Sequence, residues 1–312
     1  MRTINKEKII ANCGHVVVLK GGDSVEREIS LLSGEAVYQG LLRLGVKASV
    51  LDVSDTVVAD LERLKPDLAL IMLHGQGGED GTIQGLLEIL KIPYTGSGVL
   101  ASALAMDKAK SKLIWQRLGL NTADFVLLSD ATDWQAVIDD FEVVVVKPVS
   151  GGSSLGIAIV KDAVSLQTQF EMARGFDSEV MAEKCVIGKE FTVGVIEDQL
   201  LPAIEMSTSR EFYDFDAKYV DEDPEIICPA QLNEEKRVEL NNLVRAAFES
   251  LDCEGLARVD VMQDEAGKFY LLELNTIPGM TDHSFVPIAA KQLGINFDEL
   301  LLTVLELEQA AN

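Results

Sequence analysis

Several stretches of this chain combine residue types that can handle phosphate, a hard cation and a developing negative charge. The first is LARVDVMQDEAGKFYLLELNT, two apolar-rich runs around a turn at Asp264–Gly267. Strand side chains alternate faces, so Arg258 and Asp260 share one face. On the returning run Leu271, Glu273 and Asn275 share one face by the same rule. If the runs pair, Asp260, Glu273 and Asn275 converge as an all-oxygen cluster. Magnesium favours such donors and usually arrives with one or two carboxylates plus substrate phosphates. The competing interpretation is a solvated hairpin on which Arg258 pairs with Asp260 or Glu273. The sequel NTIPGMT fixes a turn beside the cluster and favours the first.

The second stretch is VVVVKPVSGGSSLG, in which an apolar run delivers Lys147 to a loop of small residues that includes Ser153. Small residues let backbone N–H groups approach a phosphate, and a nearby lysine adds a point charge. A Walker loop is excluded, because the lysine precedes the glycines and a strand follows them. A simple hairpin tip remains the alternative. The stretch GGDSVERE follows the first strand without the GxGxxG of a dinucleotide fold, which leaves Asp52 as the weak support for a dehydrogenase. Glu26 falls near a strand-to-helix junction, where open sheets receive ligands, although a first-turn acid also suits a helix dipole. His74, in MLHGQGGEDGT, takes a supporting role. Lys108 opens a helix at MDKAKSK, where a solvated helical face is the ordinary expectation.

The elements that must position these residues change character along the chain. HVVVLK, ASVLDV and DLALIML predict strands, and Ile29, Leu32, Ala36, Val37, Leu41 and Leu44 recur at helical spacing. This βαβ pattern implies a parallel sheet covered by helices. Helical segments near 98–105 and 107–118 lead into ADFVLLS, VVVVKPV and IAIVKD, the last two placed to pair antiparallel. Hairpin-like strands continue from EVMAEKCV, followed by a helix near 234–251. The predicted fold is α/β followed by α+β, with domains at 1–100, 101–188 and 189–312.

The chain has 312 residues and a net charge of −24, which opposes nucleic-acid binding and obliges any nucleotide site to gather its own cations. Its four cysteines are far apart and form no CxxC pair, so a zinc or disulfide framework is not expected. No apolar run approaches the ~18 residues of a membrane span, and a soluble cytoplasmic protein is expected.

Taken together, GGDSVEREISLLSG, LHGQGGEDGTIQG, TGSG, MDKAKSK, VKPVSGGSSLG, EKCVIGKEFTVG, YDFDAKY and ELNTIPGMTDHS resemble the D-alanine–D-alanine ligase family of the ATP-grasp superfamily. They span nearly the whole chain in family order. The resemblance implies an ATP-grasp fold with an N-terminal βαβ domain, a central ATP-binding domain and a C-terminal α+β domain. It implies ligation of two D-alanine molecules through a D-alanyl phosphate for peptidoglycan synthesis, with ATP as co-substrate and two magnesium or manganese ions. Related ligases making D-alanyl-D-lactate or D-alanyl-D-serine are the alternative. It also implies that Lys108 and Lys147 bind ATP phosphates under the loop carrying Ser153. Glu183, Lys184 and Val186 would receive adenine, and Glu190 the ribose. Asp260, Glu273 and Asn275 would hold the metals. Glu26 would bind the first D-alanine's ammonium, with His74 nearby. Arg258 and the Gly279 N–H would form an oxyanion hole, Ser284 would take the second carboxylate, and Lys218 and Tyr219 would cover the site. A homodimer is also implied.

Overall fold

The computed structural model describes residues 5–152, 156–207 and 225–311. Its N-terminal sheet has the order β2-β1-β3, built from β1 (His15–Gly21), β2 (Lys47–Val53) and β3 (Leu68–Ile71). Both pairings are parallel, and Val16, Val17, Val18 and Leu19 are fully buried. A strand covered on both faces needs such an unbroken apolar run.

Helix Arg27–Leu44 covers this sheet and ends at Gly45, whose φ of 84° supplies the left-handed cap. Its buried face is made partly of small residues, Ser30, Ser33, Gly34 and Gly40, together with Val37, Leu41 and Leu44. Leu32, assigned by spacing to the apolar stripe, is instead exposed. The reason is close approach: a Cβ on Gly34 would stand 2.5 Å from the Cβ of Lys20. Ser30 accepts from the Gly21 N–H and donates to the Met72 carbonyl, so the helix start is tied to the ends of β1 and β3. Helices Phe285–Gln292 and Phe297–Ala311 return from the C-terminal part and contribute Val286, Ala289, Leu301 and Leu305 to the same core.

A four-stranded antiparallel sheet follows, in the order β4-β7-β5-β6. It comprises β4 (Phe125–Leu127), β5 (Val144–Pro148), β6 (Ala158–Val160) and β7 (Val180–Lys184). Val144 pairs with Val160, as the VVVVKPV and IAIVKD pattern predicted.

The third sheet has the path β11-β10-β8-β12-β13, with β9 beside β8. Its strands are β8 (Gly188–Ile196), β9 (Gln199–Leu200), β10 (Ile204–Ser207), β11 (Glu225–Ile227), β12 (Leu256–Asp264) and β13 (Phe269–Asn275). β7 and β8 therefore belong to different sheets, where the sequence suggested a continuing run of hairpins. Helices Val99–Met106, Lys108–Arg117 and Glu234–Ser250 supply Ala101, Ala105, Trp115, Leu240 and Val244 to the core of this third sheet.

The β12–β13 hairpin pairs Arg258 with Asn275 and Asp260 with Glu273, then shifts register so that Val261 meets Leu271. The extra residue, Leu272, is a bulge that resets the alternation. Leu271 consequently lies in the core with Phe269 and Leu274, and does not share the polar face of Glu273 and Asn275 as strict alternation required.

Candidate active site

The bulged hairpin presents its polar residues from facing positions of β12 and β13. Arg258 donates to both oxygens of Asp260, at 2.9 and 2.7 Å. The Thr192 hydroxyl, from β8, donates to the same carboxylate, and the Asn275 amide reaches it at 3.3 Å. Arg258 also lies 5.7 Å from the centre of the Phe285 ring. The arginine–aspartate pair of the competing interpretation is thus present, but on a buried carboxylate and not on a solvated hairpin, and Asn275 and the facing Glu273 lie beside it.

Lys108 stands opposite this cluster. Its ammonium lies 3.4 Å from Glu273 and donates to the Gly151 carbonyl, joining the metal-type carboxylate to the glycine loop. The expected solvated face is only half correct, because Lys108 is buried while Lys110, two residues on, pairs with Asp107 on the surface. The loop begins at the end of β5, where Ser150 donates its N–H to Asp177 at 2.7 Å.

Lys147, also buried, forms an ion pair with Glu183 on the neighbouring strand β7. The other oxygen of Glu183 is 3.0 Å from Lys112. Burial works to raise the Glu183 carboxyl, but the two lysines override it and hold the group below its ordinary value. The Glu183 side chain is therefore committed to lysines, and its backbone lies within the sheet, paired with Val145 of β5. Lys184, the last residue of β7, is exposed, Val186 in the connection to β8 is half-buried, and Glu190 within β8 is half-buried, so the three follow the chain from one sheet to the next.

At the far end of the cleft, Glu26 is the residue just before helix Arg27–Leu44 and is buried. A Cβ on Gly152 would meet its carboxylate at 2.8 Å, and one on Gly75 would do the same at 2.8 Å. The glycines let two loops close directly over this acid. His74 is buried with its Nε2 3.3 Å from the Ser33 hydroxyl, and burial pushes its pKa down to about 4. Ser33 also accepts from the Met280 N–H at 3.2 Å, which brings the Gly279–Met280 turn beside the histidine. A Cβ on Gly279 would stand 2.8 Å from the Ser284 hydroxyl, so glycine permits that approach. Ser284 accepts from the Thr281 N–H at 3.0 Å and precedes helix Phe285–Gln292, whose N-terminus favours an anion.

Sequence reasoning gave no role to Lys112, Thr192 or Glu79. Glu79 is buried, accepts from the Gly75 N–H at 2.8 Å, and is pushed up to about 8, first by burial and then by Glu26. Its signal was available in GGEDGT, an acid within a glycine cluster. Asp52, by contrast, forms a two-bond pair with Arg27, at 2.7 and 2.6 Å, and needs no ribose to explain it. Ser153, Lys218 and Tyr219 lie outside the described residues.

The arrangement offers cations for phosphate, oxygen donors for a hard metal, and buried acids for an ammonium. Comparison with known proteins identifies the family. Residues 114–306 match the family model described as D-ala D-ala ligase C-terminus, and residues 45–97 match D-ala D-ala ligase N-terminus. A D-alanine–D-alanine ligase of Saccharophagus degradans is 50% identical over 296 residues, covering 95% of this chain and 94% of that protein. The chain belongs to the D-alanine–D-alanine ligase family. Another such ligase, from Chromohalobacter salexigens, is 48% identical and is covered over 94% of its length. The solved structure of the Bacillus anthracis D-alanine–D-alanine ligase complexed with ATP superposes with a TM-score of 0.84 at 32% identity, covering 96% of this chain and 98% of that one. The ligase fold therefore accounts for all three sheets.

Proposed function

We propose that this chain is an ATP-dependent ligase that joins two D-alanine molecules into D-alanyl-D-alanine through a D-alanyl phosphate, for peptidoglycan synthesis. The observation that carries the reading is the meeting of Lys108, Glu273 and the glycine loop, with Gly152 against Glu26. That junction supports the reading because a lysine suited to phosphate stands near an acid suited to an ammonium, as phosphorylating an amino-acid carboxylate requires. The test is ADP release with D-alanine compared with L-alanine, D-lactate and D-serine, products resolved by mass. Release that does not depend on D-alanine would overturn the assignment, and a depsipeptide or D-alanyl-D-serine as main product would redirect it.

A carboxylate is a poor electrophile, so one oxygen of the first D-alanine attacks the γ-phosphoryl group and ADP departs. The protein's task is alignment and charge neutralisation. Lys108 and Lys147 are positioned to bind the phosphates, with Ser153 in the covering loop, while Glu26 holds the ammonium and His74 supports the turn opposite. The amine of the second D-alanine then attacks the carbonyl, and phosphate leaves with the bridging oxygen. Arg258 and the Gly279 N–H face the developing oxyanion, at about 2.7–4 kcal/mol for such a donor. Ser284 takes the second carboxylate. Lys218 and Tyr219 cover the site, Lys184 and Val186 flank the adenine at the end of β7 with Glu183 behind them, and Glu190 meets the ribose.

Asp260, Glu273 and the Asn275 amide oxygen fit magnesium or manganese. They supply hard oxygens from facing strand positions, and two carboxylates suit a cation that completes its shell with phosphate. Bound there, two such ions would draw charge from the phosphates. No described helix is long and apolar enough to cross a membrane. We assign the enzyme to the cytoplasm as a homodimer, which sedimentation at working concentration would check.

A further inference from the structure

The reading above leaves a buried cation without a task. Lys112 has no exposed side-chain surface, so it cannot itself reach a ligand in the cleft. Its ammonium lies 3.0 Å from one oxygen of Glu183 and donates to the Thr122 hydroxyl. That hydroxyl in turn donates to the Leu271 carbonyl at 2.8 Å, at the bulge next to Glu273. The second oxygen of Glu183 meets Lys147. Two lysines therefore share one carboxylate.

The charge count has a consequence. A Lys147–Glu183 pair alone would be neutral, and a phosphate would have to compete with a buried carboxylate for its cation. With Lys112 present, the three-residue group carries one surplus positive charge. In a chain of net charge −24, such a local surplus is what an anionic nucleotide needs. Lys112 is shielded from the cleft and Lys147 stands at the end of β5 beside the glycine loop, so the surplus is expressed at Lys147. Asp124, the other acid acting on Lys112, adds only a weaker attraction than Glu183. We propose that Lys112 is a positioning residue that neutralises Glu183 so that the charge of Lys147 is left for the nucleotide phosphates. This rests on the ligase reading only in placing ATP against Lys147.

A double-mutant cycle tests it, with ATP binding measured by calorimetry on the full chain with magnesium and without D-alanine. K112M keeps the length of the side chain and removes its charge, so ATP binding should weaken at least about tenfold. K112M/E183Q removes both charges, restores the surplus at Lys147, and should return to within about threefold of the wild type. A merely structural lysine predicts the opposite, a double variant no better than the single one, and that result would overturn the proposal. Should K112M fail to fold, the double variant decides against the wild type: affinity within threefold supports the proposal and a tenfold loss overturns it. Wild-type protein that binds ATP but makes no D-alanyl-D-alanine would remove the ligase reading and leave this cycle interpretable. Wild-type protein that does not bind ATP would remove both.

Discussion

At one end of the candidate site, Lys112 and Lys147 share the buried carboxylate of Glu183; at the other end, Glu26 and Glu79 are buried near one another beside His74. The first group carries a surplus positive charge. At the second, burial and the nearby Glu26 push Glu79 up to about 8, so that it keeps its proton at neutral pH, while burial pushes His74 down to about 4 and leaves its ring neutral. Desolvation acts in both places, and at the first the two lysines override it and keep the carboxylate charged. On the proposed reading, the first end suits the nucleotide's phosphates, and Glu26 at the second suits an incoming ammonium.

The largest effect that would break this contrast belongs between the two ends. Glu273→Gln replaces the carboxylate that meets Lys108 with a neutral and poorer ligand for a hard cation. We expect turnover to fall by roughly 10³-fold or more, read as D-alanine-dependent ADP release. Near-normal turnover would remove Glu273 from the metal site. Arg258→Ala should lower kcat about 10²–10³-fold with ATP binding largely kept, because the oxyanion forms only during reaction. A rise in the ATP dissociation constant with kcat unchanged would instead make Arg258 a structural partner of Asp260.

Glu26→Ala sharpens the comparison from the acidic end. Removing the charge partner of an ammonium group should raise the KM for D-alanine on the order of tenfold, with ATP affinity nearly unchanged. Collapse of ATP binding with D-alanine kinetics intact would mean that Glu26 serves the glycine loop through its contact with Gly152 and not the amino acid.

The strands, the helices over 99–117 and the polar hairpin were legible because their periodicities are strong and local. The convergence of Asp260, Glu273 and Asn275 was expected from alternation and one turn, but in the structure it depends on the bulge, since unbroken pairing beyond Val261–Leu271 would set Leu272 and not Glu273 opposite Asp260. The bulge was not legible, because YLLEL offers an unbroken apolar pair, and nothing local says that Leu272 is the extra residue. Nor was the role of Lys112. Lys108 and Lys112 are four apart and share a helix face, but burial of that face depends on β7 and on Thr122, which come from distant segments. The exposed Leu32 misled for the same reason: the tight seat of its helix on β1 is decided by Gly34 and Ser30, residues that an apolar count ignores.

The smallest expected effect concerns Glu79 and is a matter of stability. Its carboxyl is buried, accepts from the Gly75 N–H, and has its pKa raised to about 8 by burial and by Glu26. In the unfolded chain a glutamate titrates near ~4.3. Between those values the folded protein keeps a proton that the unfolded chain releases, so folding stability from this group is greatest at low pH. It falls as pH rises through the window and levels off above about 8. Glu79→Gln is neutral throughout, and its amide oxygen can still accept from Gly75. The variant should match the wild type near pH 5 and melt a few degrees higher near pH 8, with a flatter dependence between. Thermal melts of both proteins in matched buffers from about pH 5 to 8 provide the measurement. Parallel curves would mean that Glu79 is charged when folded, and the acidic end would then hold its charge by another means than a retained proton.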